Sequence, residues 1–198
     1  MPFDHNHAYH RLLLRQVPAG ARTALDVGCG AGRFARRLAA AGLEVDGLDP
    51  SGEMIGIAQA LGPATITYRH GDVTTAELGR YDFISCLASL HHVPFETVTK
   101  LRAALNPGGV LAVLGLAKPR SIADWVKWGL LAPPVNLAAR LVVAAGDQLN
   151  GGPDPVAAAP VQGWDTTMTQ VRRESARLLP GSTVQPLLFF RYLLLYRA

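Results

Sequence analysis

The run Thr23-Ala-Leu-Asp-Val-Gly-Cys-Gly-Ala-Gly-Arg33 constrains the chain more than any other stretch. Ala24, Leu25 and Val27 form a short apolar run of the kind buried parallel strands use, and it stops at a cluster of glycines. Beyond the cluster Phe34, Leu38 and Ala41 recur at helical spacing, with Arg33, Arg36 and Arg37 mostly on the other side. The stretch reads as strand, tight loop, helix. Gly28, Gly30 and Gly32 let the backbone turn sharply and let a ligand approach the main chain closely.

Taken alone, such a loop is a weak signal, and two departures from the dinucleotide fingerprint sharpen it. That fingerprint asks for a third glycine at position 33, where this chain has Arg33, its glycine standing one place early at Gly32. Asp26 also lies two residues before the first glycine, where its carboxylate would face a pyrophosphate. Like charges ~4 Å apart repel by ~4 kcal/mol at an effective dielectric of about 20. A cationic ligand would be attracted instead, and S-adenosylmethionine carries an ammonium and a sulfonium. A nicotinamide oxidoreductase fits this loop less well.

The second strand supports the same choice. Val45-Asp-Gly-Leu-Asp49 ends on an acid about 20 residues beyond the loop, the spacing of a ribose-binding carboxylate. Pro50 follows, and Ser51 is placed to cap a helix carrying Met54, Ile55, Ala58 and Leu61. Together, Leu25-Asp-Val-Gly-Cys-Gly-Ala-Gly32, Gly47-Leu-Asp-Pro-Ser51, Gly71-Asp-Val73 and Leu105-Asn-Pro-Gly-Gly-Val110 resemble the successive motifs of class I S-adenosylmethionine-dependent methyltransferases of the small-molecule type. Four motifs in order are far more specific than one.

The resemblance implies an α/β fold: a doubly wound, mostly parallel seven-stranded sheet, Rossmann-like, with an antiparallel C-terminal strand and a helical cap insertion. It implies S-adenosyl-L-methionine as cofactor, with S-adenosyl-L-homocysteine as product. Cofactor contacts then fall to Asp26 at the methionine end and to Gly28, Cys29 and Gly30 in the loop. Asp49 and Pro50 lie at the ribose, Asp72 and Val73 at the adenine, and Leu87 and Ala88 beside the methionine part. An ionised Asp72 is acceptor only, which suits the adenine amino group; its plainer role is that of a turn aspartate. Tyr9 and His10 resemble lid residues, although a surface helix from about Ala8 to Gln16 accounts for them equally.

Further along, Thr65–Arg69 reads as a third strand and Phe83–Cys86 as a fourth. In such sheets ligands gather beyond the carboxyl ends of the strands, so His91 and His92 fall on the acceptor side. His91 is the preferred general base, because Leu90 and Val93 are apolar and should face the core; the alternative is that it only shapes the pocket. A helix is expected over Phe95–Leu105, a turn at Asn106–Gly109 and a fifth strand at Val110–Leu114. Residues 117–164 break the alternation and read as a helical and loop cap, with Trp125 and Trp128 near helical spacing. A membrane-surface helix is the competing reading there, since Lys118, Arg120 and Lys127 flank the tryptophans. Helix Thr166–Leu179, with Asp165 as its N-cap, and strands Ser182–Phe190 and Arg191–Arg197 complete the chain.

A chain of 198 residues with 49% apolar content is ample for one core and short for two, and nothing divides it, so residues 1–198 read as one domain. The opening Met-Pro-Phe-Asp-His-Asn-His is no signal segment, and cytoplasm is the default. His5, His7 and His10 lack the paired spacing and acidic company of a zinc site, so no metal is expected. The net charge of +4 comes from scattered arginines, without a run that would track phosphates. The chain after the fourth strand, Cys86-Leu-Ala-Ser-Leu-His-His92, also lacks the Asn/Asp-Pro-Pro-Tyr/Phe pattern of nucleic-acid amino methylation. The expected activity is therefore methyl transfer to a small, apolar or aromatic metabolite. The alternatives are a non-catalytic S-adenosylmethionine-binding regulatory module and an enzyme working on a lipid-like substrate at a membrane surface.

Overall fold

A computed structural model describes residues 9–118, 165–187 and 190–198. The order of elements is α1 (His10–Leu14), β1 (Thr23–Val27), α2 (Arg33–Ala40), β2 (Glu44–Asp49), α3 (Gly52–Leu61), β3 (Ile66–His70), β4 (Tyr81–Leu87), α4 (Thr97–Ala103), β5 (Leu105–Leu116), α5 (Met168–Leu178), β6 (Thr183–Pro186) and β7 (Arg191–Arg197). The seven strands form one sheet in the order β3-β2-β1-β4-β5-β7-β6. β7 runs antiparallel to both its neighbours, and β1 to β5 pair in parallel. The α/β class, the seven strands and the antiparallel C-terminal strand all agree with the sequence reading.

Both faces of the sheet are covered, which is why its central strands read as continuous apolar runs. One face presents Ala24, Phe83, Val110, Ala112 and Leu114 to Leu13 of α1, Phe34 and Leu38 of α2, and Ile55 and Ala58 of α3. The other presents Leu25, Val27, Ile84, Cys86, Leu111 and Val113 to Val98 and Leu101 of α4 and Val171 of α5. Strand alternation therefore puts Asp26 and Ser85, opposite each other in the β1–β4 register, on the face that α2 covers.

That β1–β4 junction is where the strand order reverses, so the crevice lies outside the carboxyl ends of these two strands. Asp82 fixes the opposite end. Its carboxylate accepts from Arg22 N (2.8 Å), Thr23 N (3.1 Å), Thr23 Oγ1 (3.2 Å) and Asn106 Nδ2 (2.7 Å). These donors hold its pKa down to about 2.

Several boundaries differ from expectation for identifiable reasons. The N-terminal helix covers only His10–Leu14, and the third strand starts at Ile66 and runs to His70. The fourth helix is Thr97–Ala103, and Leu105 already belongs to β5. Asn106–Gly109 is not a separate turn but an irregularity within that strand, where the register jumps from Tyr81↔Leu105 to Phe83↔Val110. Gly108, at φ +77°, donates to Ala198 O at 3.0 Å and draws the C-terminus onto the bulge. The helix after the insertion is capped by Thr167, not Asp165. Thr167 Oγ1 accepts from Gln170 N (3.3 Å) while Thr167 N donates to Gln170 Oε1 (2.8 Å), a reciprocal pair that Asp165 could not form from two residues upstream. Asp165 pairs instead with Lys118 Nζ at 3.0 Å. The sixth strand is Thr183–Pro186 only. Of the expected cap, residues 119–164 lie outside the described residues, as do Trp125 and Trp128, the proposed membrane-surface segment, His5 and His7.

Candidate active site

The loop after β1 is shaped by backbone bonds that reach sideways to β2. Gly28 N (2.7 Å) and Cys29 N (3.2 Å) both donate to Leu48 O, and Gly32 N closes the loop onto Cys29 O at 2.9 Å. Gly28, Gly30 and Gly32 take φ values of +68°, +51° and +75°, conformations that L side chains rarely adopt. The three differ in what surrounds them. A Cβ on Gly28 would run into Ser89, whose Oγ is 2.7 Å from that position, and one on Gly32 would meet the ring of Tyr68. At Gly30 a Cβ would meet nothing within 4 Å among the described residues. Gly30 is thus the glycine of this trio that borders open space.

Asp49, buried at the end of β2, holds the loop from behind. Its Oδ2 accepts from Gly30 N at 2.8 Å and its Oδ1 from Ser51 N at 2.9 Å. Each carboxylate oxygen has two lone pairs, so each can still take a hydroxyl from a ligand. Pro50, next to it, is exposed, and its carbonyl lies 3.0 Å from His70 Nε2. Ser51 caps α3 as expected, accepting from Met54 N at 3.3 Å.

Asp26 turns out to be an interior group, 2% exposed. Its Oδ1 accepts from Ser85 Oγ at 2.8 Å, and burial lifts its pKa to about 7 despite that bond and one from the Ala35 backbone. Near neutrality it is therefore only partly ionised, and electrostatic attraction of a cation is weaker than a free carboxylate would give. Cys29, also buried, is kept as a thiol by burial and by the neighbouring Asp26 and Asp49 carboxylates. Neither it nor buried Cys86 is an activated nucleophile.

Asp72 is exposed beyond β3. One oxygen, Oδ1, accepts from both the backbone N and the Oγ1 of Thr74, each at 2.8 Å, which lowers its pKa and leaves the other oxygen facing out. The structure thus shows the turn aspartate of the plainer sequence reading. The Val73 side chain packs into the core beneath β1 and β2.

Across the junction, Leu87 ends β4 and Ala88 takes an unusual φ of +50°, its N–H held by Leu114 O at 2.7 Å. A non-glycine residue in that region marks local strain, which accumulates at functional sites. Leu90–His92 form one 3₁₀ turn with Leu90 buried, as its apolar character required. The His91 and His92 rings lie 3.9 Å apart, centroid to centroid. Both ring nitrogens of His91 are out of contact with solvent and have no hydrogen-bond partner among the described residues. Burial and His92 push its pKa down to about 4. At neutral pH His91 is an uncharged imidazole and a feeble base, its donor and acceptor without a hydrogen-bond partner among the described residues. On the loop side, His10 is buried against Phe34 of α2, rings 4.9 Å apart, so it packs as core.

Sequence reasoning missed Ser85, Arg36 and Tyr68. Ser85 is the one hydroxyl in the otherwise apolar Phe83–Cys86 run, a signal that was available. Arg36 NH1 donates to Ala31 O at 2.7 Å from within α2, and Tyr68 OH reaches Gly32 O at 3.4 Å. Neither contact leaves a mark in the local sequence. Among the described residues no group of three or more His, Cys, Asp or Glu side chains is gathered for a metal ion, and no helix is long and apolar enough to cross a membrane.

Comparison with known proteins agrees with this geometry. A family model described as a methyltransferase domain matches residues 4–138. The chain is 31% identical over 210 aligned positions to an uncharacterized methyltransferase of Mycobacterium tuberculosis, covering 100% of this chain and 98% of the relative. It is 36% identical to a ubiquinone biosynthesis O-methyltransferase of Bordetella avium, over 52% of this chain and 48% of that enzyme. Its fold is similar to that of an S-adenosylmethionine-dependent methyltransferase from Mesorhizobium loti, with a TM-score of 0.66, 19% identity, and coverage of 96% of this chain and 98% of that one. The segment matched by the family model includes both the glycine loop and the histidine turn, the residues that frame the crevice. The chain belongs to the methyltransferase-domain family and is a class I S-adenosylmethionine-dependent methyltransferase.

Proposed function

We propose that this enzyme methylates a small, apolar or aromatic metabolite, at an oxygen, in the crevice between the glycine loop and the histidine turn. The observation that carries the reading is the pairing of two features across the β1–β4 junction: the side of Gly30 left open by the described residues, and the His91 ring nitrogens, which have no hydrogen-bond partner among them. The ubiquinone biosynthesis O-methyltransferases among its relatives support the choice of an oxygen acceptor. Residues 1–198 are read as one domain.

The cofactor fits what is there. Gly28, Cys29 and Gly30 offer main chain to its methionine end, with Asp26 buried behind them; Asp49 and Pro50 stand at the ribose; Asp72 and Val73 at the adenine; Leu87 and Ala88 beside the sulfur. When bound, its sulfonium supplies an electrophilic methyl group. What remains for the protein is to align the acceptor and exclude water. His91 does the first by hydrogen bonding in its neutral form, while exposed His92 flanks it.

Titration calorimetry with S-adenosylhomocysteine is the first test: heat of binding is expected, with none from NADH. Incubation with S-adenosylmethionine and a metabolite extract, followed by a mass-spectrometric search for methylated products, then identifies the acceptor. Binding without any transferred methyl would move the protein to the regulatory-module reading.

The role of His91 is separable from that of a base. His91→Gln keeps a donor and an acceptor without basicity, and is expected to hold kcat within about threefold. His91→Ala is expected to raise the acceptor KM about tenfold. A general base would lose ~10²–10⁴-fold in rate with either substitution, and that result would return His91 to the role first expected of it. Since His91 stays neutral above about pH 4, no loss of rate attributable to it is expected between pH 8 and pH 6.

A further inference from the structure

One side chain joins the two halves of this crevice. The left-handed turn at Ala88 swings Ser89 back towards β1, where Ser89 Oγ donates to Val27 O at 2.8 Å, the carbonyl immediately before Gly28. The Cys86 thiol lies 3.0 Å from the same oxygen. Because the serine proton is committed to Val27, the thiol is the donor in that second contact, and burial keeps it protonated. On its other side, Ser89 O accepts from His92 N at 3.0 Å and so closes the turn that carries His91. The fit to the loop is tight, since the space a Cβ on Gly28 would need is already filled by the Ser89 side chain.

We propose that Ser89 is a positioning residue that sets the glycine loop against the histidine turn, so that cofactor affinity depends on a hydroxyl outside the loop itself. This rests on the reading of Gly28–Gly30 as cofactor main-chain contacts. The physical case is that Ser89 constrains the loop twice. Its hydrogen bond fixes the direction of the Val27 carbonyl, and hence the peptide plane from which Gly28 departs. Its Cβ and Oγ form the wall that only a glycine at position 28 can approach. Loss of the hydroxyl frees that peptide plane and lets the loop sample orientations in which the main chain from Gly28 to Gly30 no longer follows the surface of a bound cofactor. The population-weighted affinity then falls, although no direct ligand contact has been removed.

Calorimetric titration of S-adenosylhomocysteine into wild type and Ser89→Ala tests this. A neutral hydrogen bond is worth about 1 kcal/mol, so the dissociation constant is expected to rise about fivefold. The thermal midpoint is expected to fall by only about 2–4 °C. A lower midpoint with unchanged affinity would overturn the proposal, because a merely structural serine predicts that pattern. If wild type itself shows no binding, the assignment of the loop fails first. Should Ser89→Ala not fold, Ser89→Cys, which keeps the shape and weakens the donor, is expected to raise the dissociation constant in the same direction. An unchanged constant would overturn the proposal. The steric half of the case has its own test. Gly28→Ala should weaken binding, and adding Ser89→Gly should recover part of that loss by removing the obstructing side chain. Losses that simply add would overturn it.

Discussion

Replacing Asp49 with alanine is expected to raise the dissociation constant for S-adenosylhomocysteine at least about tenfold, equivalent to about 1.4 kcal/mol. From sequence the expectation rested on ribose hydroxyls alone. The structure adds a second cause, since the same carboxylate holds Gly30 N at 2.8 Å and Ser51 N at 2.9 Å. Hydrogen bonds to a charged acceptor are worth ~1.5–3 kcal/mol each when no water takes its place. Both the ligand contacts and the loop that presents main chain to the ligand are therefore lost together. Asp49→Asn should be nearly as damaging. Its amide has one acceptor oxygen, so its NH₂ must face either Gly30 N or Ser51 N, donor against donor. Calorimetry at a temperature where circular dichroism shows all variants folded separates affinity from stability. A folded Asp49→Ala that binds as tightly as wild type would show that β2 does not end at the cofactor.

Gly30→Asn is expected to weaken cofactor binding ~100-fold, about 2.7 kcal/mol, while leaving the fold nearly as stable as before. Asparagine tolerates the left-handed conformation that Gly30 holds at φ +51°, so the backbone cost is small. No atom of the described residues lies within 4 Å of the added Cβ, so the side chain enters the space where the ligand is expected to approach the main chain. Gly32→Ala provides the contrast. There the new methyl meets the buried ring of Tyr68, and overpacking of that kind costs ~1–3 kcal/mol of stability. The pair thus distinguishes a glycine kept for the ligand from one kept for packing. If Gly30→Asn binds S-adenosylhomocysteine normally, the open side of Gly30 is not the cofactor's side.

Much of the molecule was legible before any coordinates. Ala24 to Val27 and Val110 to Leu114 announced buried strands because a sheet covered on both faces favours apolar runs, and Val45 to Asp49 announced its strand by the acid that ends it. Gly28, Gly30 and Gly32 announced a sharp turn, whose φ values prove positive, and Ser51 capped the helix it was expected to cap. Boundaries were less legible where two local solutions competed. Thr167 displaced Asp165 as a cap because Gln170 stood at the right distance to return the bond. Asn106–Gly109, turn-like in composition, became a bulge because β4 on one side and the C-terminus on the other kept it in the sheet.

The sequence by itself determined the strand–loop–helix order, the acid that ends β2 and the placement of the histidine pair beyond β4, because each depends on residues adjacent along the chain. Only the tertiary structure decided what those groups are chemically. Asp26 is raised towards neutrality and His91 held uncharged because burial penalises the ionised form, and burial is a property of neighbours supplied by α2, β4 and the turn after it. The same holds for Ser89, a plain serine in the sequence. It acquires its place from Val27, 62 residues away, and from a glycine whose missing side chain leaves it room.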